Sequence, residues 1–390
     1  MPTPPRLFAI AVAGQFIFGI VLALPGTLFG MRSWTDALAV DVGAQANLLA
    51  LFFTGQLVCT AVAGVAVDHA GAQRVLASGS ALLVVGFVML ARAAGVSGAL
   101  LALAVLAAGG SSINAATNTL VSVTFGTRRG AMLSMMGVAG GVGALTAPIA
   151  LAGVPDAHGV AMRLLSLAVA AACTAILPLA LAPAPHASAG VSFRAMGALA
   201  SDRALAGLIT LLAIEFGLEA VLAGWSAAYA LAVLPPGRAS MIVAAYWGGL
   251  CLGRSATPAV LARASKLTTI TAAAAVVAAA VGSMALAPSA AWLMASALAA
   301  GIAVGPLAPT LIAVAGDRYP RRTGLVIGVL LSVAQIGGIV MPWTVGRAAI
   351  LAGFRVALMV PVAGAVLLAA GATLARVRRA APRLPQSEPA

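Results

Sequence analysis

GGSSINAATNTLVSVTFGTRRGAMLSMMGVAGGVGALTAP, residues 109–148, holds two apolar, small-residue runs on either side of one basic pair, Arg128-Arg129. The first run carries Ser111, Asn114, Asn118 and Ser122, whose spacing puts them on one stripe of a 3.6-residue helix. The second carries Gly137, Gly140, Gly141 and Gly143 before Pro148, a pattern that suits close helix packing and a bend inside a membrane. A polar stripe on one spanning helix beside a bendable, glycine-rich one is what passage of a solute through a membrane requires.

Composition sets the same frame. Of 390 residues, 62% are hydrophobic and 8% charged, and the mean hydropathy is +1.09. Soluble domains carry about 25% charged residues, so the sequence reads as an all-α, polytopic membrane protein. The formal charge of +13 does not point to nucleic acid, because the basic residues stand singly or in pairs at the ends of apolar runs rather than on one face. Cys59, Cys173 and Cys251 are isolated inside apolar runs and the three histidines fall in expected loops, so neither a disulfide framework nor a metal site is expected. The first apolar run is read as a spanning helix rather than a removable signal.

Twelve runs are long enough to cross a hydrocarbon core of ~30 Å. They cover 7–30, 42–67, 73–92, 97–125, 129–152, 161–182, 204–233, 239–261, 267–286, 290–315, 323–345 and 351–375. The Pro-rich interruption at 183–203 divides them into an expected six-helix bundle at 1–182 and a second at 204–390, which ends in a short basic tail. With the N-terminus inside, inner segments hold 16 of the basic residues and outer ones 6, which puts both termini in the cytoplasm. The halves repeat: Arg128-Arg129-Gly130 leads through glycines to Pro148, and Arg321-Arg322-Thr323-Gly324 leads through Gly337-Gly338 to Pro342. Same-orientation repeats imply two pseudo-symmetric bundles with a midplane site between them.

On these residues the chain resembles the major facilitator superfamily (MFS). Gly64-Val-Ala-Val-Asp68-His-Ala-Gly71-Ala-Gln-Arg74-Val-Leu76 resembles that family's loop between helices 2 and 3, although its usual basic pair is replaced by Ala72-Gln73. The resemblance implies a cytoplasmic gate at Gly64, Asp68, Gly71 and Arg74, with the Arg128-Arg129 hinge beside it. A narrower resemblance, to fucose permease-type sugar:proton symporters, is carried by Asn118 through Pro148, by Glu219 with Trp225 and Tyr229, by Tyr246-Trp247 to Gly253-Arg254, and by Gly305 through Pro342. It implies a monosaccharide-like substrate. Two carboxylates that this family carries are replaced here by Val21 and Asn114.

Of the nine acidic residues, only Glu215 and Glu219 fall within a span. Glu215 is expected ~16 Å along helix 7, near the bilayer centre, and the i, i+4 spacing puts Glu219 on the same face, in line with Ser226 and Tyr229. Acids at that depth normally face a bundle interior or water. Two so close repel when both are ionised, so the pair is a candidate for substrate binding and for proton coupling, the plain alternative being a protonated or hydrogen-bonded brace between helices. Asn114 and Asn118, with Ser111, supply donors and acceptors suited to hydroxyls. Gln15 and Gln335 are further substrate-binding candidates, as is Gln56, and Trp225 and Tyr229 are candidates to stack on a ring beside Tyr246 and Trp247. The plain alternative for the amides is helix–helix bonding, and for the aromatics interfacial anchoring.

No arginine or lysine is expected deep in a span, which favours neutral or cationic solutes over anionic ones. Metalloprotease, nucleophile-elbow and phosphate-loop motifs are absent, so no enzyme, metal or cofactor is expected. The expectation is a monomeric secondary transporter of a bacterial inner membrane, moving a small neutral polar solute by alternating access with proton coupling. Two alternatives stand beside it: an exporter of amphipathic compounds, and a non-transporting receptor or scaffold of the same fold.

Overall fold

The computed structural model describes residues 4–125, 129–152, 154, 159–168, 170, 202–233, 239–320 and 323–380. Among them there is no strand. A chain this apolar satisfies its backbone groups inside helices, since lipid offers no partner for a bare N–H or C=O. The helices are α1 (Pro4–Phe29), α2 (Arg32–Ala37), α3 (Val42–Ala70), α4 (Ala72–Ala91), α5 (Val96–Phe125) and α6 (Arg129–Leu151), followed by α7 (Gly159–Ala168). The second half holds α8 (Arg203–Val233), α9 (Ala239–Leu261), α10 (Lys266–Ala285), α11 (Ala290–Val304), α12 (Leu307–Arg318), α13 (Thr323–Ala352), α14 (Phe354–Ala357) and α15 (Met359–Ala380).

Among the described residues nine stretches are long and apolar enough to cross a membrane, and α6 and α7 add shorter apolar segments. With α9, these account for the twelve expected spans. Three boundaries differ from the sequence reading. The tenth span is broken at Gly305-Pro306 into α11 and α12, because Pro306 has no N–H to continue the ladder. The eleventh runs on to Ala352, and the twelfth begins only at Met359 after the turn at Gly353 (φ 79°) and α14. The sixth is described to residue 168, with residue 170 beyond it. Most of the expected linker, together with Arg128, Arg321 and Arg322, lies outside the described residues.

The two halves pack alike. In the first, α1 lies on α6 and α3 and α4 on α5; in the second, α8 lies on α13, α9 on α11 and α10 on α15. Backbone meets backbone at the equivalent seams: Gly143 lies against Phe16 in one half and Gly337 against Ala213 in the other, where a Cβ would overlap the facing carbonyl. Missing side chains are what let these helices approach so closely.

The halves meet through α3 with α13, α6 with α9, and α1 with α8. We call the end where the chain begins the near face, and the opposite end the far face. At the far end of α1, Gly26 lies on the Ala223 carbonyl and Gly30 on Ala227, while Gly224 meets Leu49 and Gly346 meets Ala46. Phe29 of the first half stands 6.4 Å from Trp225 of the second, which in turn lies 5.7 Å from Phe354. Arg32 Nη2 donates across the seam to the Leu231 carbonyl (3.3 Å). The bundle is therefore sealed at its far face.

Candidate functional site

Beneath this seal lies a cavity of about 360 Å³ between the halves. From the first half it is lined by Phe18 and Leu22 of α1, Phe53, Gln56 and Thr60 of α3, and Ser111, Asn114 and Asn118 of α5. The second half contributes Phe216, Glu219 and Ala223 of α8, Trp247 of α9, and Leu331, Gln335 and Gly338 of α13. Gln56, Ser111, Asn114 and Asn118 form a polar wall on α3 and α5, Glu219 and Gln335 add polar groups from the second half, and the aromatic rings come from both halves.

The amides are ordered by one another. Asn114 Oδ1 accepts from Gln15 Nε2 (3.0 Å) and from Asn118 Nδ2 (2.8 Å), the second pair being one helical turn apart on α5. Ser111 Oγ donates to the Gln56 carbonyl (3.1 Å) and fixes α5 to α3. Gln15 thus stands behind Asn114, outside the lining. The helix-packing and cavity roles weighed for these amides coexist, since Asn114 and Asn118 bond to their neighbours and still face the cavity.

Opposite them the structure corrects the sequence reading. Arg254, inside the expected span 239–261, stands well within α9, and its Nη2 pairs with Glu219 Oε2 at 2.8 Å. An arginine is therefore placed ~10 Å inside the near end of α9, and the expectation of no deep basic residue fails. The physical reason is that an acid on a different helix meets it. The Arg254 side chain is 29% exposed and that of Glu219 19%. Both groups stand on the near side of the far-face contacts, Glu219 before Ala223 on α8 and Arg254 toward the end of α9.

Glu215 and Glu219 are separated by their surroundings. Glu219 lines the cavity, whereas Glu215 is fully buried and, among the described residues, neither of its oxygens has a hydrogen-bond partner. Glu219, Arg254 and the Tyr246 hydroxyl are the ionisable groups around it. Trp225 and Tyr229 stand outside the cavity. Trp225 Nε1 donates to the Pro342 carbonyl (2.9 Å) and the Tyr229 hydroxyl to the Met284 carbonyl (2.8 Å). A helical stripe gives direction but not depth: Tyr229 is ten residues, or ~15 Å, beyond Glu219.

At the near face, Gly71 (φ 87°) makes the turn between α3 and α4, and only glycine adopts that conformation without strain. Gly64, Asp68 and Arg74 are exposed, and among the described residues neither Asp68 nor Arg74 is in an ion pair. Arg129 opens α6; the rest of the expected hinge, Arg128, is outside the described residues. Sequence reasoning missed Phe18, Phe53, Thr60, Phe216 and Arg254. Only Arg254 carried a signal, a lone charge inside an apolar run.

The sequence profile of the Major Facilitator Superfamily matches residues 11–292. No curated protein matches the chain significantly. Among solved structures, the fold is similar to that of a point mutant of the nucleoside transporter NupG, with TM-score 0.77 and 15% identity over 95% of this chain and 99% of that one. It is similar to a bacterial homolog of the human lysosomal transporter Spinster, in an inward-facing and occupied conformation, with TM-score 0.78 and 14% identity over 97% and 98% of the two chains. It is also similar to a point mutant of the E. coli fucose:proton symporter, with TM-score 0.66 and 17% identity over 94% and 98%. At these identities the likeness establishes the fold.

Proposed function

Because the chain belongs to the major facilitator superfamily, we propose that it is a secondary transporter carrying a small, neutral, polar solute by alternating access between its two halves. The observation that carries this reading is the cavity between the halves, where the Gln56, Asn114 and Asn118 amides face Glu219. Amides offer both donors and acceptors to an uncharged polar molecule, and Arg254, the one cation beside the cavity among the described residues, is already met by Glu219. A nucleoside and fucose, which two of the similar proteins carry by their descriptions, are both small, polar and uncharged.

Proton coupling belongs to the same proposal. Arg254 supplies one positive charge for two carboxyls, so Glu215 is the group left to bind and release a proton as the halves move. An unpaired carboxylate away from water is costly, which ties its charge to exposure. The bias of basic residues toward the near face makes that face cytoplasmic, in a bacterial inner membrane. The near-face residues Gly64, Asp68, Gly71 and Arg74, with Arg128 and Arg129, would then close over the cavity from inside.

The test is uptake into proteoliposomes under an imposed pH gradient, with monosaccharides and nucleosides as solutes. The wild type is expected to accumulate one of them, and Glu215→Gln with Glu219→Gln to abolish accumulation while leaving exchange. Full accumulation in the double variant would end the coupling role. A second reading, export of amphipathic compounds, is favoured by the apolar wall of Phe18, Leu22, Phe53, Phe216 and Leu331. It expects efflux of amphipathic compounds and no sugar or nucleoside flux.

A further inference from the structure

The hydrogen-bond bookkeeping of the cavity narrows the solute further, on the premise that it is neutral and polar. Asn118 and Asn114 share one N–H···O bond (2.8 Å), and Asn114 Oδ1 takes a second from Gln15 (3.0 Å). What remains is the Asn114 amide nitrogen with its N–H groups and the Asn118 carbonyl oxygen. Turning the amides over exchanges the roles: Asn114 then presents oxygen and Asn118 nitrogen. In either arrangement, two residues that line the cavity present a donor and an acceptor side by side.

Two more groups await a partner. Among the described residues, Gln56 Nε2 and Trp247 Nε1 are buried N–H donors without an acceptor, one from each half, and both residues line the cavity. Buried donors left unmade cost about 1–3 kcal/mol each, so a turn of either side chain that brings its N–H into the cavity would be stabilised by an acceptor on the solute. Phe18, Phe53, Phe216 and Trp247 also line the space, and aromatic rings suit the flat surface of another ring.

We propose that the cavity recognises a flat heterocycle bearing a cis-amide edge, a lactam or imide N–H beside its C=O, read by Asn114 and Asn118. This is the pairing by which an amide side chain reads a nucleobase edge. A further carbonyl on the same ring would accept from Gln56 or Trp247, and through Trp247 the solute would touch both halves.

The test uses the full-length protein in detergent and matched probes: uridine, N3-methyluridine (whose imide N–H is blocked), methyl β-D-ribofuranoside and L-fucose. Uridine is expected to bind, N3-methylation to weaken binding at least tenfold, and the two sugars not to bind. Asn118→Leu should weaken uridine at least tenfold with the unliganded melting temperature kept. Should that variant not fold, the N3-methyl comparison decides alone. Equal binding of uridine and its N3-methyl form overturns the proposal. Binding of a sugar without uridine also overturns it, yet leaves the neutral-solute transporter standing. Silence from all four probes alongside binding of amphipathic compounds overturns both.

Discussion

At the level of single residues, the ion pair between Arg254 and Glu219 shows why a charge can sit inside an apolar helix. Each side chain is mostly buried, and each neutralises what would otherwise be an uncompensated charge. Removing one partner of a buried pair costs about 3–5 kcal/mol; the partial exposure here brings the expectation to about 1–3 kcal/mol. Arg254→Gln should therefore lower the stability of the solubilised protein by that amount, read from its melting temperature. Adding Glu219→Gln should return most of the loss. A double variant as unstable as the single one would mean that the guanidinium acts through packing rather than charge.

At the level of elements, the junctions between helices decide where the span ends lie. Asp202 precedes α8, and its Oδ1 accepts from the Ala204 and Leu205 amides (2.8 and 3.3 Å). Its Oδ2 accepts from the hydroxyl of Tyr319, just past α12, at 2.6 Å. The Tyr319 hydroxyl is the main influence holding the Asp202 carboxyl below its ordinary value; partial burial opposes it, while the two amides and the Arg318 charge assist. A carboxyl lowered in the folded state contributes stability above its ordinary value, about pH 3.9, which is lost as pH falls through the folded value. Tyr319→Phe should thus cost about 0.5–1 kcal/mol at pH 7, the low end for a solvent-screened bond. The difference in melting temperature from wild type should shrink below about pH 4. A difference that stays constant from pH 7 to pH 3.5 would show that Tyr319 serves α8 by packing alone. Beside it, Lys266 at the start of α10 pairs with Asp317 at the end of α12, so α8, α10 and α12 are tied at one face.

At the level of the whole molecule, the seal and the cavity are parts of one arrangement. The far gate is built of glycines against backbone and of aromatic rings, whereas among the described residues at the near end no ion pair joins the two halves, Lys266–Asp317 lying within the second. Gly26 is where this can be tested, since any Cβ there would overlap the Ala223 carbonyl. Gly26→Leu should hold the far gate open. In a background without the three native cysteines, a cysteine placed at Leu22, which lines the cavity, should react with an impermeant thiol reagent from the near face only. With Gly26→Leu added, it should react from the far face as well. Labelling that remains confined to the near face would mean the Gly26–Ala223 contact does not keep the gate shut.

Twelve spans, their repeat at Pro148 and Pro342, and a carboxylate pair within a span were legible in the amino-acid order, because hydropathy and helical period are local properties. The amide stripe of Asn114 and Asn118 was legible for the same reason: three and four residues apart is one face of one helix. What only the tertiary structure decided is which groups share a depth and a partner. It set Tyr229 at the far gate though it shares a stripe with Glu219, buried Glu215 while Glu219 met the cavity, and brought Arg254 from a separate helix to pair with it. Such pairings depend on how far along its axis each helix stands against the next, and on backbone contacts made possible by glycines far apart in sequence. A single helix carries its own period, but not the height at which its neighbours will meet it.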